Sequence, residues 1–252
     1  MSTIVDKSLK TIAIMRKKRP RVHCITNTVA QHFTANVLLT CGAVPSMTIA
    51  PEEIEGFVSQ ADAVLINLGT MDISRTYSAK KAIEITQKQG KPFVLDPVFV
   101  QASEPRLNLA KELIKEHPAI VRANPKEGEA LFGEGFVDGG IRTIANKYST
   151  CIVITGERDV IVDSSGTISI SNGTPFMSQV TAMGCALTAL MAAMASVEEN
   201  RVVAATAALL WFNIAGELAA ETSSGPGTFV PHFLDALSRM NEEMIAKRAD
   251  VN

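Results

Sequence analysis

Short aliphatic runs alternate along the chain with longer segments in which apolar residues recur every three or four positions. The runs are typical of buried strands, and the longer segments indicate amphipathic helices. The predicted strands span residues 21–25, 46–49, 63–68, 93–98, 119–122 and 152–155, and the helices between them span 29–41, 52–60, 74–89, 105–116 and 139–147. Gly42 and Gly90 end two of these helices where a left-handed residue is needed. This alternation predicts an α/β fold with a largely parallel sheet, in a single domain over residues 1–252.

The pattern changes after residue 155. Residues 160–163 and 167–171 are two short predicted strands, joined as a hairpin by Ser164-Ser165-Gly166. Three predicted helices follow, over residues 184–197, 201–221 and 229–245. The second of these is apolar on nearly all sides, so we expect it to be buried in the fold or in a contact between subunits.

Composition narrows the classes of function. The chain has 252 residues, 46% of them hydrophobic and 20% charged, and a net charge of -2, as is typical of a soluble globular protein. The longest basic run, Arg16 to Arg19, suits the end of a helix, so no nucleic-acid partner is expected. The four cysteines lack CxxC spacing, which argues against a disulfide framework or a zinc site.

The location of the protein is predicted from what the sequence lacks. The first residues do not have the basic-then-apolar layout of a signal peptide. The long uncharged stretch over residues 164–197 is broken by Asn172-Gly173 and Pro175, which argues against a membrane span. We therefore expect a cytoplasmic protein with no membrane partner.

The turn over residues 179–188 has features of an anion-binding site. A β-type run ends there, and an Ala/Leu/Met-rich helix begins at about Gly184. The start of a helix presents unpaired N–H groups and the positive end of its dipole, which favour an anion. Gly184 removes a Cβ where a ligand approaches, and Cys185 supplies a nucleophilic or basic atom. The alternative is an ordinary strand-to-helix turn with a buried cysteine.

Polar residues also gather where other predicted strands end, which is the edge at which open α/β sheets bind ligands. Asp96 precedes Pro97, so its backbone is kept out of a helix. Its carboxylate suits a magnesium ion bound through water, the orientation of an attacking hydroxyl group, or a turn bonded to nearby amides. Asn27 suits a helix cap or a polar contact. His23 and His32 are too far apart on the chain to form a ligand pair on one element, and both are interpreted as structural.

Three further strand-end residues also have two interpretations each. Glu127 completes a capping box with Asn124, but its carboxylate also suits water on a phosphate-bound magnesium ion. Arg122 suits a fork onto phosphate oxygens or a salt bridge with Glu127 or Glu129. Thr155 and the amide of Gly156 suit phosphate binding or a plain turn.

Common catalytic motifs are missing from the sequence. It contains no GxGxxG, GxxxxGK[ST], GxSxG or HExxH pattern. This argues against the usual dinucleotide, P-loop, α/β-hydrolase and zincin chemistries. If the turn over residues 179–188 is an anion site, the chemistry that remains possible is phosphate transfer without a Walker loop.

A series of ordered motifs resembles one known family. They are Val-His-Cys-Ile-Thr-Asn at 22–27, Phe-Thr-Ala-Asn at 33–36, Gly-Ala-Val-Pro-Ser-Met at 42–47, Asn-Leu-Gly-Thr at 67–70, Leu-Asp-Pro-Val at 95–98, Asn-Pro-Lys-Glu at 124–127, Ile-Thr-Gly-Glu-Arg-Asp at 154–159, Met-Gly-Cys at 183–185 and Gly-Pro-Gly at 225–227. With these motifs the chain resembles the hydroxyethylthiazole kinase family, the thiamine-salvage members of the ribokinase-like superfamily. The match runs almost from end to end.

The resemblance implies a fold, a reaction and an assembly. The fold is a ribokinase-like three-layer sandwich, with a mostly parallel central sheet, helices on both faces and no separate lid domain. The reaction is ATP-dependent, magnesium-assisted phosphorylation of the hydroxyl group of 4-methyl-5-(2-hydroxyethyl)thiazole, in thiamine biosynthesis and salvage. The assembly is a homotrimer with substrate sites at subunit contacts.

The resemblance also implies roles for individual residues. Cys185, Asp96 and Glu127 look catalytic, and Asp96 and Glu127 also look like the magnesium-side carboxylates, acting through water. Met47, Ala182 and Asn27 look like substrate contacts, while Arg122, Thr155 and Gly184 look like ATP contacts. Cys185 stands where ribokinase-like relatives commonly have an aspartate base. Its place at a helix start predicts a lowered pKa. Because a thiolate would repel the incoming phosphate, we expect it only to assist.

Two departures from the family pattern and two rival functions accompany the resemblance. This chain has Phe99-Val100-Gln101 where the family pattern has a Gly-Ala-Gly stretch. The larger side chains are expected to affect access to the phosphates. Ala182 replaces a glycine in the anion turn.

One rival is another ribokinase-like kinase, acting on a hydroxymethylpyrimidine or a pyridoxal. The other is a non-catalytic protein that binds the thiazole or a nucleotide.

Overall fold

Eight strands form one sheet in the computed structural model, which describes residues 3–133, 136 and 140–252. The strands are β1 (Arg21–Ile25), β2 (Val44–Ser46), β3 (Ala63–Asn67), β4 (Phe93–Asp96), β5 (Ile120–Ala123), β6 (Cys151–Ile154), β7 (Asp159–Val162) and β8 (Thr167–Ile170). Their order across the sheet is β2-β1-β3-β4-β5-β6-β7-β8. The pairs from β2 to β6 are parallel, whereas β7 and β8 add an antiparallel edge. The predicted mostly parallel sheet is confirmed.

Helices connect and flank these strands. They are α1 (Ile4–Lys18), α2 (Gln31–Cys41), α3 (Ile54–Gln60), α4 (Ile73–Lys88), α5 (Glu104–Leu113), α6 (Pro125–Phe132), α7 (Ile141–Lys147), α8 (Met183–Ala195), α9 (Arg201–Thr222), α10 (Pro226–Arg239) and α11 (Glu242–Arg248). Gly42 and Gly90 have φ angles of 97° and 64°, so both predicted left-handed helix ends are confirmed. Gly139, where α7 was predicted to begin, lies outside the described residues.

Two hydrophobic cores cover the two faces of the sheet. Side chains alternate along each strand, so that Leu65 of β3 packs into one core and Ile66 into the other. The first core contains residues of α1, α2, α8, α9 and α10, and the second contains residues of α3, α4, α5 and α6. Both faces are therefore buried, which explains why the parallel strands are continuously aliphatic. The predicted three-layer sandwich is confirmed.

The helix α9 is an internal helix of the first core. It is long and apolar enough to cross a bilayer, but 89% of its most apolar window is buried inside the protein. Trp211 and Phe212 in its middle are fully buried. Of the two predicted locations for this helix, burial within the fold is confirmed.

Three predictions of elements were wrong or incomplete. The strand predicted over 46–49 is β2, which begins at Val44 and includes Pro45; the chain tolerates this proline because β2 is an edge strand that pairs only with β1. The helix predicted over 229–245 is two helices, because the side chain of Asn241 caps a new helix by accepting a hydrogen bond from the N–H of Met244. For α1, only an end at the basic run Arg16 to Arg19 was predicted, and no bounds were given.

Candidate active site

The carboxyl ends of β1, β3, β4, β5 and β6 meet the start of α8. Because neighbouring parallel strands end at the same edge, the polar residues that follow or terminate them are brought together. Hydrogen bonds and one ion pair link seven residues into one network, namely Asn27, Asn67, Asp96, Arg122, Thr155, Cys185 and Thr188. We refer to these seven residues as the polar cluster.

Asp96 is the buried carboxylate at the centre of the polar cluster. Its Oδ2 accepts hydrogen bonds from Nδ2 of Asn67 at 2.8 Å and from Oγ1 of Thr188 at 3.1 Å. Its Oδ1 has no hydrogen-bond partner among the described residues and lies 3.9 Å from Nη1 of Arg122. Burial raises the pKa of Asp96 to about 6, against the opposing effect of the Arg122 charge. The carboxylate therefore faces the site, and the alternative of a turn bonded to nearby amides is wrong.

Arg122 lies between Asp96, Thr155 and Gly184. Its Nη2 donates a hydrogen bond to Oγ1 of Thr155 at 2.5 Å. A Cβ atom placed on Gly184 lies 2.5 Å from Nη1 of Arg122, so any side chain there would displace the guanidinium group from this position. The sequence analysis had assigned this space to a ligand. It also left open a surface salt bridge with Glu127 or Glu129, but the carboxylate next to Arg122 is that of Asp96.

The first turn of α8 presents free amides beside this guanidinium group. The first hydrogen bond of the helix runs from the N–H of Ala186 to the carbonyl of Ala182 at 2.9 Å. The N–H groups of Met183, Gly184 and Cys185 have no acceptor among the described residues. A cation and a positive helix end that lie side by side repel each other until an anion binds between them. The predicted anion-binding character of this turn is thus supported by geometry.

Cys185 is a neutral thiol in this site, contrary to the predicted lowering of its pKa. Burial, together with the nearby charge of Asp96, raises its pKa to about 11. The favourable helix end is outweighed because the thiol is removed from water next to a carboxylate. The Sγ atom accepts a hydrogen bond from Nδ2 of Asn27 at 3.3 Å.

Asn27 links the substrate side of the polar cluster to the rest of the site. Its Oδ1 accepts a hydrogen bond from the N–H of Ala30 at 2.9 Å, just before α2 begins. Its Nδ2 donates to Oδ1 of Asn67 at 3.1 Å as well as to Cys185. Asn27 therefore both closes a turn and makes the polar contacts that the sequence analysis gave as an alternative.

Glu127 forms the predicted capping box and one further contact. Its Oε2 accepts a hydrogen bond from the N–H of Asn124, and its Oε1 accepts one from the N–H of Phe99, each at 2.9 Å. Phe99 has a φ angle of 54° and its side chain is 60% exposed, so the bulky residue adopts a conformation that favours glycine. The charge of Glu127 also raises the pKa of Asp96, so the two carboxylates interact electrostatically.

The two carboxylates fit a magnesium ion bound mainly through water. The described residues contain no group of three or more His, Cys, Asp or Glu side chains arranged to hold a metal ion. Magnesium commonly uses one or two carboxylates, several waters and substrate phosphates rather than a complete protein cage. The unpartnered Oδ1 of Asp96 suits such a cation.

The turn after β6 leaves the Thr155 hydroxyl, but not the next amide, available to a ligand. The N–H of Gly156 donates to Oδ1 of Asp159 at 3.0 Å. The hydroxyl oxygen of Thr155 accepts from Arg122, so its own hydrogen is free to donate to another group. Of the two predicted phosphate donors in this turn, the Gly156 amide is therefore ruled out by its intramolecular hydrogen bond.

Met47 lies apart from Asp96, the centre of the polar cluster, within this chain. It follows the edge strand β2, which is three strands away from β4 in the sheet. At ~4.8 Å per strand, this corresponds to roughly 14 Å between Met47 and Asp96 across the sheet. The neighbouring histidine, His23, binds Oγ of Ser46 through Nδ1 at 2.8 Å and the carbonyl of Thr48 through Nε2 at 3.0 Å, as expected for a structural residue.

Sequence reasoning assigned no role to two members of the polar cluster. Asn67 appeared only as part of the motif at 67–70, yet it bridges Asn27 and Asp96. Thr188 was not noticed, although it follows Gly184 by one helical turn and therefore lies on the same face of α8. A single threonine in an Ala/Leu/Met-rich helix was the available signal.

Known proteins similar to this chain cover nearly all of it. The model of the hydroxyethylthiazole kinase family matches residues 12–243. A probable hydroxyethylthiazole kinase of Agrobacterium fabrum is 43% identical over 237 residues, which are 94% of this chain and 91% of the relative. A hydroxyethylthiazole kinase of Granulibacter bethesdensis is 38% identical over 98% of this chain and 94% of its own length.

Solved structures resemble the fold described above. A hydroxyethylthiazole kinase of Pyrococcus horikoshii superposes with a TM-score of 0.91 at 36% identity, covering 97% of this chain and 98% of its own. A ribokinase-like superfamily protein of Enterococcus faecalis superposes with a TM-score of 0.70 at 15% identity, covering 90% and 89%. The second likeness shows the fold alone.

Proposed function

Since the chain belongs to the hydroxyethylthiazole kinase family, we propose that it transfers the terminal phosphoryl group of ATP to the hydroxyl group of 4-methyl-5-(2-hydroxyethyl)thiazole. This is phosphotransfer to an alcohol, in thiamine biosynthesis and salvage. One observation carries the proposal: Arg122 and the free amides of α8 form an anion site directly beside the unpartnered oxygen of Asp96.

Arg122, Thr155 and Gly184 bind the ATP phosphates in this proposal. The guanidinium group and the Thr155 hydroxyl donate hydrogen bonds to phosphate oxygens, and Gly184 admits both Arg122 and the phosphoryl group to the helix start. In the loose transition state of phosphoryl transfer, positioning and charge stabilisation supply most of the rate acceleration. A fixed cation beside oriented helix amides suits that requirement.

Asp96 and Glu127 hold a magnesium ion through water in this proposal. The ion accompanies ATP and offsets the negative charge of its phosphates. Asn67 and Thr188 orient Asp96 by binding Oδ2, which leaves Oδ1 for the cation side. Glu127 is held by two backbone amides, so its carboxylate has a fixed position.

The substrate alcohol is bound by Ala182, Asn27 and Met47 in this proposal, with Cys185 next to the reacting hydroxyl group. Because the pKa of Cys185 is raised to about 11, its thiol is neutral and serves as a weak hydrogen-bonding partner rather than a strong base. A loose transition state does not require a strong base. Cys185 therefore assists.

The proposed assembly is a homotrimer in the cytoplasm with substrate sites at subunit contacts. Met47 lies three strands from Asp96, which supports a site completed by a second subunit. Each subunit acts as one kinase domain, because a single sheet connects the candidate residues. No nucleic-acid or membrane partner is part of the proposal.

A coupled assay of ADP release tests this function. We expect turnover with ATP, magnesium and the thiazole alcohol, and far less with a hydroxymethylpyrimidine or pyridoxal as acceptor. Glu127→Ala is expected to lower turnover by about a hundredfold, while Cys185→Ser is expected to stay within a few-fold. Preference for either other alcohol, or thiazole binding without ADP release, overturns the proposal. Complete loss of turnover in Cys185→Ser overturns only the assisting role of the thiol.

A further inference from the structure

A buried carboxylate outside the polar cluster holds the turn that carries Thr155. Asp159 begins β7 and is 5% exposed. Its two oxygens have different partners: Oδ1 accepts from the N–H of Gly156 at 3.0 Å, and Oδ2 accepts from Nδ2 of Asn213 at 2.7 Å. The carboxylate therefore connects the turn to the middle of α9.

Asn213 is an unusual residue for its position. It lies in the buried part of α9, is 3% exposed, and has Phe212 and Ile214 as fully buried neighbours. Besides Asp159, its Nδ2 donates to the carbonyl of Asn172 at 3.0 Å. A polar side chain costs free energy in such an apolar helix unless its hydrogen bonds are made. Asn213 thus anchors Asp159 to a rigid part of the core.

These contacts fix Thr155 from both sides. The N–H of Thr155 donates to the carbonyl of Ala123 at 2.9 Å, continuing the pairing of β5 with β6. The next amide is held by Asp159, so the backbone of the turn has little freedom to rotate. The Thr155 hydroxyl is then kept next to Nη2 of Arg122, with its hydrogen free.

We propose that Asp159 and Asn213 are a positioning pair that fixes the turn after β6 for binding of the nucleotide phosphates. The inference rests on the proposed function, in which Thr155 and Arg122 bind ATP. Neither Asp159 nor Asn213 touches the nucleotide. They act through Gly156 and Thr155, so that the hydroxyl donor is oriented before ATP binds.

The test compares binding of a non-hydrolysable ATP analogue with magnesium, measured by calorimetry. In Asp159→Asn, an oxygen can still accept from Gly156, but the new NH₂ group faces the NH₂ group of Asn213. We expect about tenfold weaker analogue binding, as for a mispaired buried donor, with the KM for the thiazole alcohol within about twofold of wild type.

Asn172→Ala is the matched control. The side chain of Asn172 binds Glu217, the carbonyl of Arg248 and the N–H of Asp250, none of which contacts the turn. We expect a lower melting temperature but unchanged analogue binding. Equal weakening in Asn172→Ala and Asp159→Asn, or wild-type binding in Asp159→Asn, overturns the inference. If Asp159→Asn does not fold, Asn213→Ala is measured against the same control, with the same two outcomes.

The readout separates this inference from the proposed function. Wild-type protein that binds the analogue but does not phosphorylate the thiazole alcohol contradicts the proposed acceptor and leaves the positioning pair standing. Conversely, wild-type kinase activity combined with unaltered analogue binding in Asp159→Asn contradicts only the positioning pair.

Discussion

Ala182 has a left-handed backbone, with a φ angle of 69°, at the residue that precedes α8. For a residue with a Cβ atom this conformation costs roughly 1–2 kcal/mol. The carbonyl of Ala182 accepts the first hydrogen bond of α8, so the residue determines where the helix and its free amides begin. The chain therefore has local strain at the proposed anion site.

Ala182→Gly is expected to stabilise the protein. Glycine adopts the left-handed conformation without steric cost, although it increases the entropy of the unfolded chain. The net gain is about 0.5–1 kcal/mol, or roughly 2 °C in melting temperature for a chain of this size. Calorimetry or circular dichroism measures this shift.

Ala193→Gly is the control for that prediction. Ala193 lies inside α8 with helical backbone, so glycine there only loses helix propensity and buried contact. Its melting temperature should fall. A fall in both variants means that the Ala182 conformation carries no strain.

His23 is the buried hydrogen-bonding residue that joins β1 to the segment after β2. Since a carbonyl oxygen only accepts, Nε2 must donate to Thr48, and Nδ1 then accepts the hydroxyl hydrogen of Ser46. The two bonds lie on either side of Met47, and the neutral ring makes both. Burial lowers the pKa of His23 to about 4, although the Thr48 carbonyl opposes this.

The stability of the edge segment should therefore fall in acid. An unfolded histidine takes up a proton below its ordinary pKa of 6.5, whereas His23 in the folded protein does so only near 4. Between these values the unfolded state binds more protons, so stability is lost as the pH falls. From about pH 7.5 to about pH 4.5 this linkage amounts to roughly 2.5 kcal/mol.

The difference between wild type and His23→Gln isolates this contribution from other titrating groups. Urea unfolding at both pH values should show a smaller acid loss in the variant, whose side chain can still donate to Thr48. His32→Gln, in an exposed position on α2, should keep the wild-type loss. Equal losses in all three proteins contradict the assignment to His23.

The hydrophobic pattern predicts most elements because it follows burial. The strands of this sheet are buried on both faces, so they are continuously aliphatic and differ from the amphipathic helices. The pattern does not record edges and caps. Pro45 is tolerated in β2 because an edge strand pairs on one side only, so a residue can lack its backbone N–H donor. The apolar pattern also continues through Met240 and Ile245, although Asn241 caps a new helix between them. Those boundaries depend on hydrogen bonds between particular atoms.

Strand ends similarly predict which side chains gather at the site, but not how they pair. One of the two interpretations of Arg122 placed it in a salt bridge with Glu127 or Glu129, but the carboxylate beside it is that of Asp96. The raised pKa of Cys185 depends on burial and on that same aspartate, which lies far away in the sequence. Such effects follow from the strand order across the sheet, and the spacing of residues along the chain does not predict that order.

At the scale of the whole molecule, the edge strand β2 lies three strands from the β4 strand that ends in Asp96, but beside exposed apolar groups. Val44 and Phe57 are 39% and 44% exposed, and both line a groove of about 420 Å³ next to β2. Met47 follows this edge, three strands from β4. A second subunit packed against this edge would place its own polar cluster next to Met47 of the first subunit, as the proposed trimer requires.

Mixing two inactive variants tests whether each site is shared between subunits. Met47→Arg blocks the proposed substrate contact, and Asp96→Asn removes the central carboxylate, so each homotrimer should be inactive. In trimers co-expressed from equal amounts of both chains, a site formed by Met47 of one subunit and Asp96 of its neighbour is intact with a probability of about a quarter. We expect about that fraction of wild-type activity in the whole co-expressed population, homotrimers included, and the trimer size is checked by light scattering. Mixed trimers without activity would instead mean that Met47 and Asp96 serve one site within one chain, since recovery requires two subunits to contribute different residues.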